Sequence, residues 1–364
     1  MSASTASPAE PGFDVPGMRR AVDEVLEEFL MGKVRSTAES CLPEEVPRLL
    51  YDFCFAGGKR LRPLLCVVGW HAAGGSGDIG PVVRVAASLE MFHAFALIHD
   101  DVMDDSAIRR GRLTVHRALA VGLATGRSRS QIGRLAAGGA ILIGDLALAW
   151  SDEIVHTAGL TPAQLSGALP LIDAMREEVM CGQYLDVTTT GRPTADVEGA
   201  LAITRYKTAK YTCERPLHIG AALAGADQQL LDELSAFALP TGEAFQLRDD
   251  LLGVFGDPAV TGKPCSDDLR DGKYTTLVAL ALRDSAPRHQ GLLRGLLGRE
   301  DLTAAEAAQI RTVLVASGAR AQVEDMIARR SREALSLLDS VAAIAPAAVP
   351  HLRRLVPHAA GRTS

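Results

Sequence analysis

Aromatic residues are scarce, at 4% of 364 positions, so no aromatic cage for a cyclising substrate is evident. Cysteine is sparse and scattered. Cys41, Cys54, Cys66, Cys181, Cys213 and Cys265 contain no CxxC pair, which reads as reduced, mostly buried thiols in a cytoplasmic protein. Positive charge is not in excess: the formal net charge is −6, which argues against broad nucleic-acid binding. No stretch reaches the roughly 18 consecutive apolar residues of a membrane span. The richest run, Ala136 to Trp150, is interrupted by Asp145. The basic-then-apolar layout of a signal peptide is missing at the N-terminus. Residues 1–17, rich in Ser, Ala and Pro, are expected to form a disordered tail.

What the sequence has in quantity is apolar helical pattern. Hydrophobic residues make up 47% of the chain, enough for one large core. Ala, Leu and Val recur with helical spacing, and alternating strand patterns are scarce. The spacing predicts helices over 18–39, 44–56, 62–74, 79–105, 113–124, 134–159, 162–187, 196–211, 214–225 and 228–255. Others are predicted over 275–285, 303–317, 319–341 and 346–355. Gly57-Gly58, Gly74-Gly75, Gly111, Gly191-Arg192-Pro193 and the loop from Gly256 to Gly272 supply the breaks. The economical architecture is all-α: a single large helical bundle around a central cavity, formed by residues 18–364.

Two acidic sites stand out. Asp100, Asp101, Asp104 and Asp105 close the helix that starts near Pro81. Asp100 and Asp104 are four apart and share one helix face, and Asp101 and Asp105 are expected to form a second pair about 100° around it. Crowded carboxylates at a helix C-terminus repel one another and oppose the macrodipole, so a cation should offset them. Mg²⁺, which takes oxygen ligands from carboxylates and substrate phosphates, suits the task. Asp249 and Asp250 repeat the arrangement late in a second apolar helix. Either pair alone reads as well as a solvated acidic end; together they point to a metal cluster inside a bundle.

Basic residues complement them. Lys59, Arg60 and Arg62 follow Gly57-Gly58; Arg109, Arg110 and Arg112 follow the first acidic site; Lys207, Lys210, Lys263 and Lys273 come later. Each group stands beside a glycine or a helix end, where phosphate oxygens can also meet backbone N–H groups. Two such clusters fit two diphosphates, one held through metal and one held directly. The GxxxxGK[ST] frame of a nucleotide loop is absent.

In order along the chain stand GGKRLRP (57–63), HAFALIHDDVMDDSAIRRGRLTVH (93–116), ILIGDLAL (141–148), GQYLD (182–186), YKTAKYT (206–212), GEAFQLRDDLLGVFGDPAVTGKP (242–264) and DLRDGKYT (268–275). From about residue 20 to 355 the sequence resembles the trans-type prenyl diphosphate synthases, the polyprenyl synthetases that include farnesyl and geranylgeranyl diphosphate synthases. The resemblance implies a homodimeric enzyme that joins isopentenyl diphosphate to an allylic diphosphate, with three Mg²⁺ ions when substrate is bound. It implies that Asp100, Asp101, Asp104, Asp249 and Asp250 bind metal. Arg109, Lys207, Lys263 and Lys273 would hold the allylic diphosphate. Lys59, Arg62, His93 and Arg110 would hold isopentenyl diphosphate, with Thr208 and Gln246 beside the reacting carbons. The second motif departs from DDxxD, because Gly253 stands at its third acidic position; weaker metal support is expected there, with Asp257 as a compensating carboxylate.

Product length is expected to depend on the wall below Asp100. Ala96 lies about 6 Å down the helix and Phe92 about 12 Å, at 1.5 Å per residue, with Phe95 between them. Phe95 before the small Ala96 resembles the pattern of geranylgeranyl-forming members and favours C20; Phe92 would favour C15. A class I terpene cyclase is the rival enzyme, but residues 249–257 lack its N/D, S/T and E triad, and it needs no second diphosphate site. A metal phosphohydrolase and a silent regulatory subunit are weaker rivals, the latter because both acidic motifs are largely retained. His99 is read as a structural histidine.

Overall fold

The computed structural model describes residues 14–257 and 266–360. α1 (Val15–Glu39), α2 (Glu45–Phe55) and α3 (Leu61–Ala72) lead into α4 (Gly80–Met103). A short ribbon of β1 (Ile108–Arg109) and β2 (Arg112–Leu113) follows, then α5 (Val115–Gly122), α6 (Arg129–His156) and α7 (Pro162–Thr189). Next, α8 (Val197–Ile203), a π-helical segment (Thr204–Glu214) and α9 (Arg215–Leu223) run without a break, before α10 (Gln228–Phe255). The chain ends with α11 (Asp267–Asp271), α12 (Thr276–Asp284), α13 (Pro287–Leu296), α14 (Ala304–Ala316), α15 (Ala319–Leu337) and α16 (Val349–Ala360). The fold is all-α.

Most expected helices are present, with shifted ends. The first opens at Val15, with Pro16 in its first turn, three residues before the expected start. α6 opens five residues before the expected 134 because Ser128 and Gln131 form a capping box that satisfies orphan N–H groups on both sides. α13, α11 and the ribbon were not expected. The break predicted between 211 and 214 does not exist, since the π-helical turns carry the chain through it.

The core is layered around α4. Val85, Leu89, Met91, Phe92 and Ile98 are buried against α1, α3 and α6, whose Leu26, Cys66, Ile143 and Ala147 are fully covered. A second core joins the C-terminal half of α10 to α12, α14 and α15, and a third, from α3, α9, α10 and α16, ties the two together. α4 and α6 are both long and apolar enough to cross a membrane by length and composition, but two-thirds of the most apolar α4 window is buried inside the protein, against 28% for α6.

Glycine decides one crossing. A Cβ on Gly220 of α9 would run into the Cys66 carbonyl oxygen, and one on Gly69 of α3 into that of Leu217. The two backbones touch, as only glycine permits. Gly220→Ala is therefore expected to lower stability by about 1–3 kcal/mol through overpacking. Gly167→Ala, on exposed α7 surface with no atom nearer than 3.5 Å, should be neutral or raise it by up to ~1 kcal/mol. Thermal denaturation of both variants checks the contrast.

Candidate active site

α4 delivers the first carboxylates. Asp100 accepts from Lys207 Nζ at 3.2 Å, from Gln183 Nε2 at 3.1 Å and from Arg109 Nη2 at 3.1 Å. Burial alone would raise its proton affinity, yet Lys207, Lys273 and Arg109 outweigh that and bring its pKa down to about 2. Asp101 is buried, and Arg109 Nε donates to it at 2.6 Å. Asp104 caps the helix and meets Lys273 at 3.4 Å. The expected Asp101–Asp105 pair does not form a helical face. The helix ends at Met103, Asp105 adopts a left-handed φ of 49°, and its carboxylate pairs with Arg117 at 2.7 Å.

The lysines connect this edge to two other helices. Lys207 also donates to Asp186 of α7 at 2.5 Å. Burial works against its charge, but Asp100 and Asp186 keep its proton on. Lys273 lies between Asp104 and Asp268, at 3.4 and 3.6 Å, and there too neighbouring carboxylates overcome burial. Asp268 lies directly against Gly253. Its carboxylate occupies the space that any side chain at Gly253 would need, whereas Asp257 is exposed. Gly253 follows half-buried Asp249 by one turn of α10, so Lys273 spans from the first motif to the Asp249 face of the second. Asp250, half-buried, has its pKa raised to about 7 by burial and by Asp268, Asp249 and Asp186, against the Gln246 hydrogen bond. Gln246 Nε2 donates to Asp250 at 2.8 Å, and its Oε1 accepts from Thr208 Oγ1 at 2.7 Å.

Two glycines explain how Lys207 and Thr208 come so close. A Cβ on Gly182 of α7 would lie 2.5 Å from the Lys207 nitrogen, and one on Gly242 of α10 would lie 2.6 Å from Ala209 Cα. The π-helical segment is wedged between them, and π-type turns are frequent at functional sites. Lys210, on the same segment, is turned away and held by Glu178 at 2.6 Å.

A basic pocket forms on the other side of α4. The hairpin tip Arg110-Gly111 has φ of 52° and 73°, as a two-residue type I′ turn requires. Arg110 Nη1 donates to the Gly57 carbonyl at 2.5 Å, locking the hairpin to the Gly57-Gly58 loop. Arg62 lies 4.1 Å over the Tyr211 ring and donates to Thr212 Oγ1 at 2.7 Å. His93 meets the Tyr211 hydroxyl at 3.1 Å. Burial first, then Arg62, Arg110, Arg109 and Arg60, hold its pKa well below the usual histidine range, so the ring is neutral. Arg60 itself is 4% exposed and spent on structure: it pairs with Glu90 at 2.8 Å and Asp23 at 2.7 Å and donates to the Cys54 carbonyl. His99 is likewise structural, stacked edge-on to Phe95 at 4.7 Å and 3.3 Å from Asp145.

The structure thus gathers Asp100, Asp101, Asp104, Arg109, Lys207 and Lys273 at one edge, Thr208, Gln246 and Asp250 beside them, and Arg62, His93 and Arg110 in the basic pocket. Lys59 borders that pocket through its carbonyl, which accepts from Arg19 at 2.6 Å. Lys263 lies outside the described residues. Asp186, Gln183 and Asp268 are the residues that sequence reasoning missed; the first two lie in GQYLD, which was read as a signature without a role for its polar side chains.

A sequence profile described as Polyprenyl synthetase matches residues 43–314. The chain belongs to the polyprenyl synthetase family. A geranylfarnesyl diphosphate synthase from Aeropyrum pernix is 33% identical over 308 residues, 83% of this chain and 90% of that protein. A geranylgeranyl diphosphate synthase from Saccharolobus solfataricus is 32% identical over 68% of this chain and 69% of its own. The crystal structure of geranylgeranyl pyrophosphate synthase from Corynebacterium glutamicum complexed with isoprenyl diphosphate and magnesium superposes with a TM-score of 0.91. It shares 37% identity and covers 96% of this chain and 100% of that one. This polyprenyl synthetase is therefore a prenyltransferase, of a family that typically depends on magnesium. Its donor set fits that ion. The donors are hard carboxylate oxygens, the kind of ligand magnesium takes. Among the described residues, no three carboxylate, imidazole or thiol groups converge enough to hold a metal unaided, as expected where substrate phosphates complete the shell.

The neighbours Lys59 and Arg60 can be told apart. Arg60→Leu leaves Glu90 charged and buried, and is expected to cost about 3–5 kcal/mol, seen as a lowered melting temperature. Lys59→Ala should leave melting unchanged and raise the KM of one diphosphate substrate.

Proposed function

We propose that the enzyme condenses isopentenyl diphosphate with an allylic diphosphate, and that its main product is geranylgeranyl diphosphate (C20), with farnesyl diphosphate (C15) as the alternative. The supporting observation is the pair of charged pockets on either side of the α4 C-terminus. One is lined by lysine-bridged carboxylates, the other by Arg62, Arg110 and neutral His93. A cyclase needs only the first. The names of the relatives, geranylgeranyl and geranylfarnesyl diphosphate synthases, support elongation and leave the length to this chain's own residues.

In this reading Asp100, Asp101, Asp104, Asp249 and Asp250 hold magnesium, three ions with substrate bound. The ions supply Lewis-acid stabilisation of the leaving diphosphate. Arg109, Lys207 and Lys273 neutralise the charge that grows on that diphosphate as the allylic C–O bond breaks, and Lys263 joins them. Lys59, Arg62 and Arg110 hold isopentenyl diphosphate so that its double bond faces the allylic carbon, which is an orientation effect. His93, neutral and fixed by Tyr211, donates or accepts a hydrogen bond there without adding charge. Thr208 and Gln246 border the reacting carbons, and the apolar wall of α4 keeps water from the cation. The proton lost from the carbon beside the new cation, whose C–H electrons form the product's double bond, goes to an oxygen of the departed diphosphate.

The growing tail runs down α4 past half-buried Ala96 and Phe95. The reading extends to a homodimer, supported by the outward apolar face of α6, where Leu135, Ile141 and Leu142 are exposed. It extends also to a reducing compartment such as the cytoplasm, supported by Cys41, Cys54, Cys66, Cys181 and Cys213, all free thiols.

Incubation with Mg²⁺, labelled isopentenyl diphosphate and each of dimethylallyl, geranyl and farnesyl diphosphate should yield C20 prenyl diphosphate, sized by chromatography. Cyclic hydrocarbon, or inorganic phosphate without elongation, would refute the assignment. Phe95→Ala should shift the product by at least one C5 unit; an unchanged spectrum would remove Phe95 from the length-setting wall.

A further inference from the structure

Beneath the aromatic residues of α4 lies an ion pair for which the reaction has no use. Arg176 of α7 places its guanidinium 5.7 Å from the centre of the Phe92 ring. It pairs with Asp152 of α6 at 2.5 Å and donates to Ser151 Oγ at 3.3 Å. Its Nε is buried with no hydrogen-bond partner among the described residues. Phe92 is 1% exposed, packed on Phe95 at 5.2 Å and edge-on to Tyr211 at 5.8 Å. The ring therefore lies between the channel side of α4 and the guanidinium.

Depth along the helices agrees. α4 packs closely on α6, whereas α7 makes no comparably close backbone packing with either among the described residues. α7 meets α4 at two levels: Gln183 bonds Asp100 at the top, and Arg176 meets Phe92 below. Arg176 precedes Gln183 by seven residues, about 10 Å, and Phe92 precedes Asp100 by eight, about 12 Å. The two contacts bound an interval between α4 and α7, with Asp100 at one end and a charged side chain at the other.

We propose that the Arg176–Asp152 pair, covered by Phe92, is an ionic floor of the tail channel and a second determinant of product length. This rests on the elongation reading given above. An apolar tail can replace an aromatic ring with little change in solvation. It cannot replace the partners of a guanidinium, because a buried charge or donor deprived of its partner is costly. Removing Phe92 alone makes room but brings the tail onto Arg176. Removing Arg176 alone leaves the ring as a lid. Only loss of both opens the channel.

The test is the product spectrum of Phe92→Ala, Arg176→Leu and the double variant, with Mg²⁺, isopentenyl diphosphate and an allylic starter. The single variants should keep the wild-type main product. The double variant should lengthen it by at least one C5 unit, a non-additive effect that a merely structural arginine would not produce. Phe92→Ala alone matching the double variant would overturn the proposal, as would a double variant that stops at the wild-type length. Arg176→Met, an unbranched uncharged replacement, serves in the Phe92→Ala background if the leucine double variant fails to fold by circular dichroism. Wild-type enzyme that forms no prenyl product would instead defeat the elongation reading itself; unmoved lengths in an active series defeat only the ionic floor.

Discussion

Mutual repulsion among carboxylates governs this molecule. Asp100, Asp101, Asp104, Asp186, Asp249, Asp250 and Asp268 are brought to one end of the bundle by four different segments, and charges of one sign do not assemble there unaided. Lys207 and Lys273 answer the repulsion by bridging between helices, 207 from Asp100 to Asp186 and 273 from Asp104 to Asp268. Each lysine is half-buried and still keeps its proton, because its carboxylate neighbours outweigh desolvation. Among the described residues Asp250 has no such lysine, and burial, with the nearby carboxylates behind it, raises its pKa to about 7.

Bringing those groups together requires backbones to approach more closely than most side chains allow. Gly182 and Gly242 admit the π-helical segment, and Gly69 and Gly220 admit the crossing of α3 and α9. Gly253 gives its space to the carboxylate of Asp268, from a later helix. Positive φ at Arg60 and Arg110 is a second strained feature, and both residues border the basic pocket. One turns inward to neutralise Glu90, and the other turns to the hairpin tip beside His93.

Charge and hydrocarbon are sorted by depth along α4. Carboxylates occupy its end, Ala96 and Phe95 come next, and Phe92 covers an arginine at the bottom. An isoprenoid is a chain with a charged head and an apolar tail, and this helix presents the same order of environments. Product length then becomes a matter of where apolar contact ends.

The helical architecture, the two acidic sites and most of the basic ones were legible in the sequence, because helical periodicity and i, i+4 carboxylates are local properties. Locality also explains the misses. The Asp101–Asp105 pair failed because the helix stops at Met103, and the expected break before 214 failed because π-helical turns leave no compositional trace. Arg60 and Arg62 look alike in GGKRLRP, yet one is sealed against Glu90 and the other lies over Tyr211. Asp268 could not be assigned to Gly253, nor Arg176 to Phe92, from positions so far apart in the chain. By itself the sequence determined which segments are helical and which of them end in charge. Only the tertiary structure decided which charges face one another, because ion pairing and burial depend on distances across helices that one-dimensional spacing does not encode.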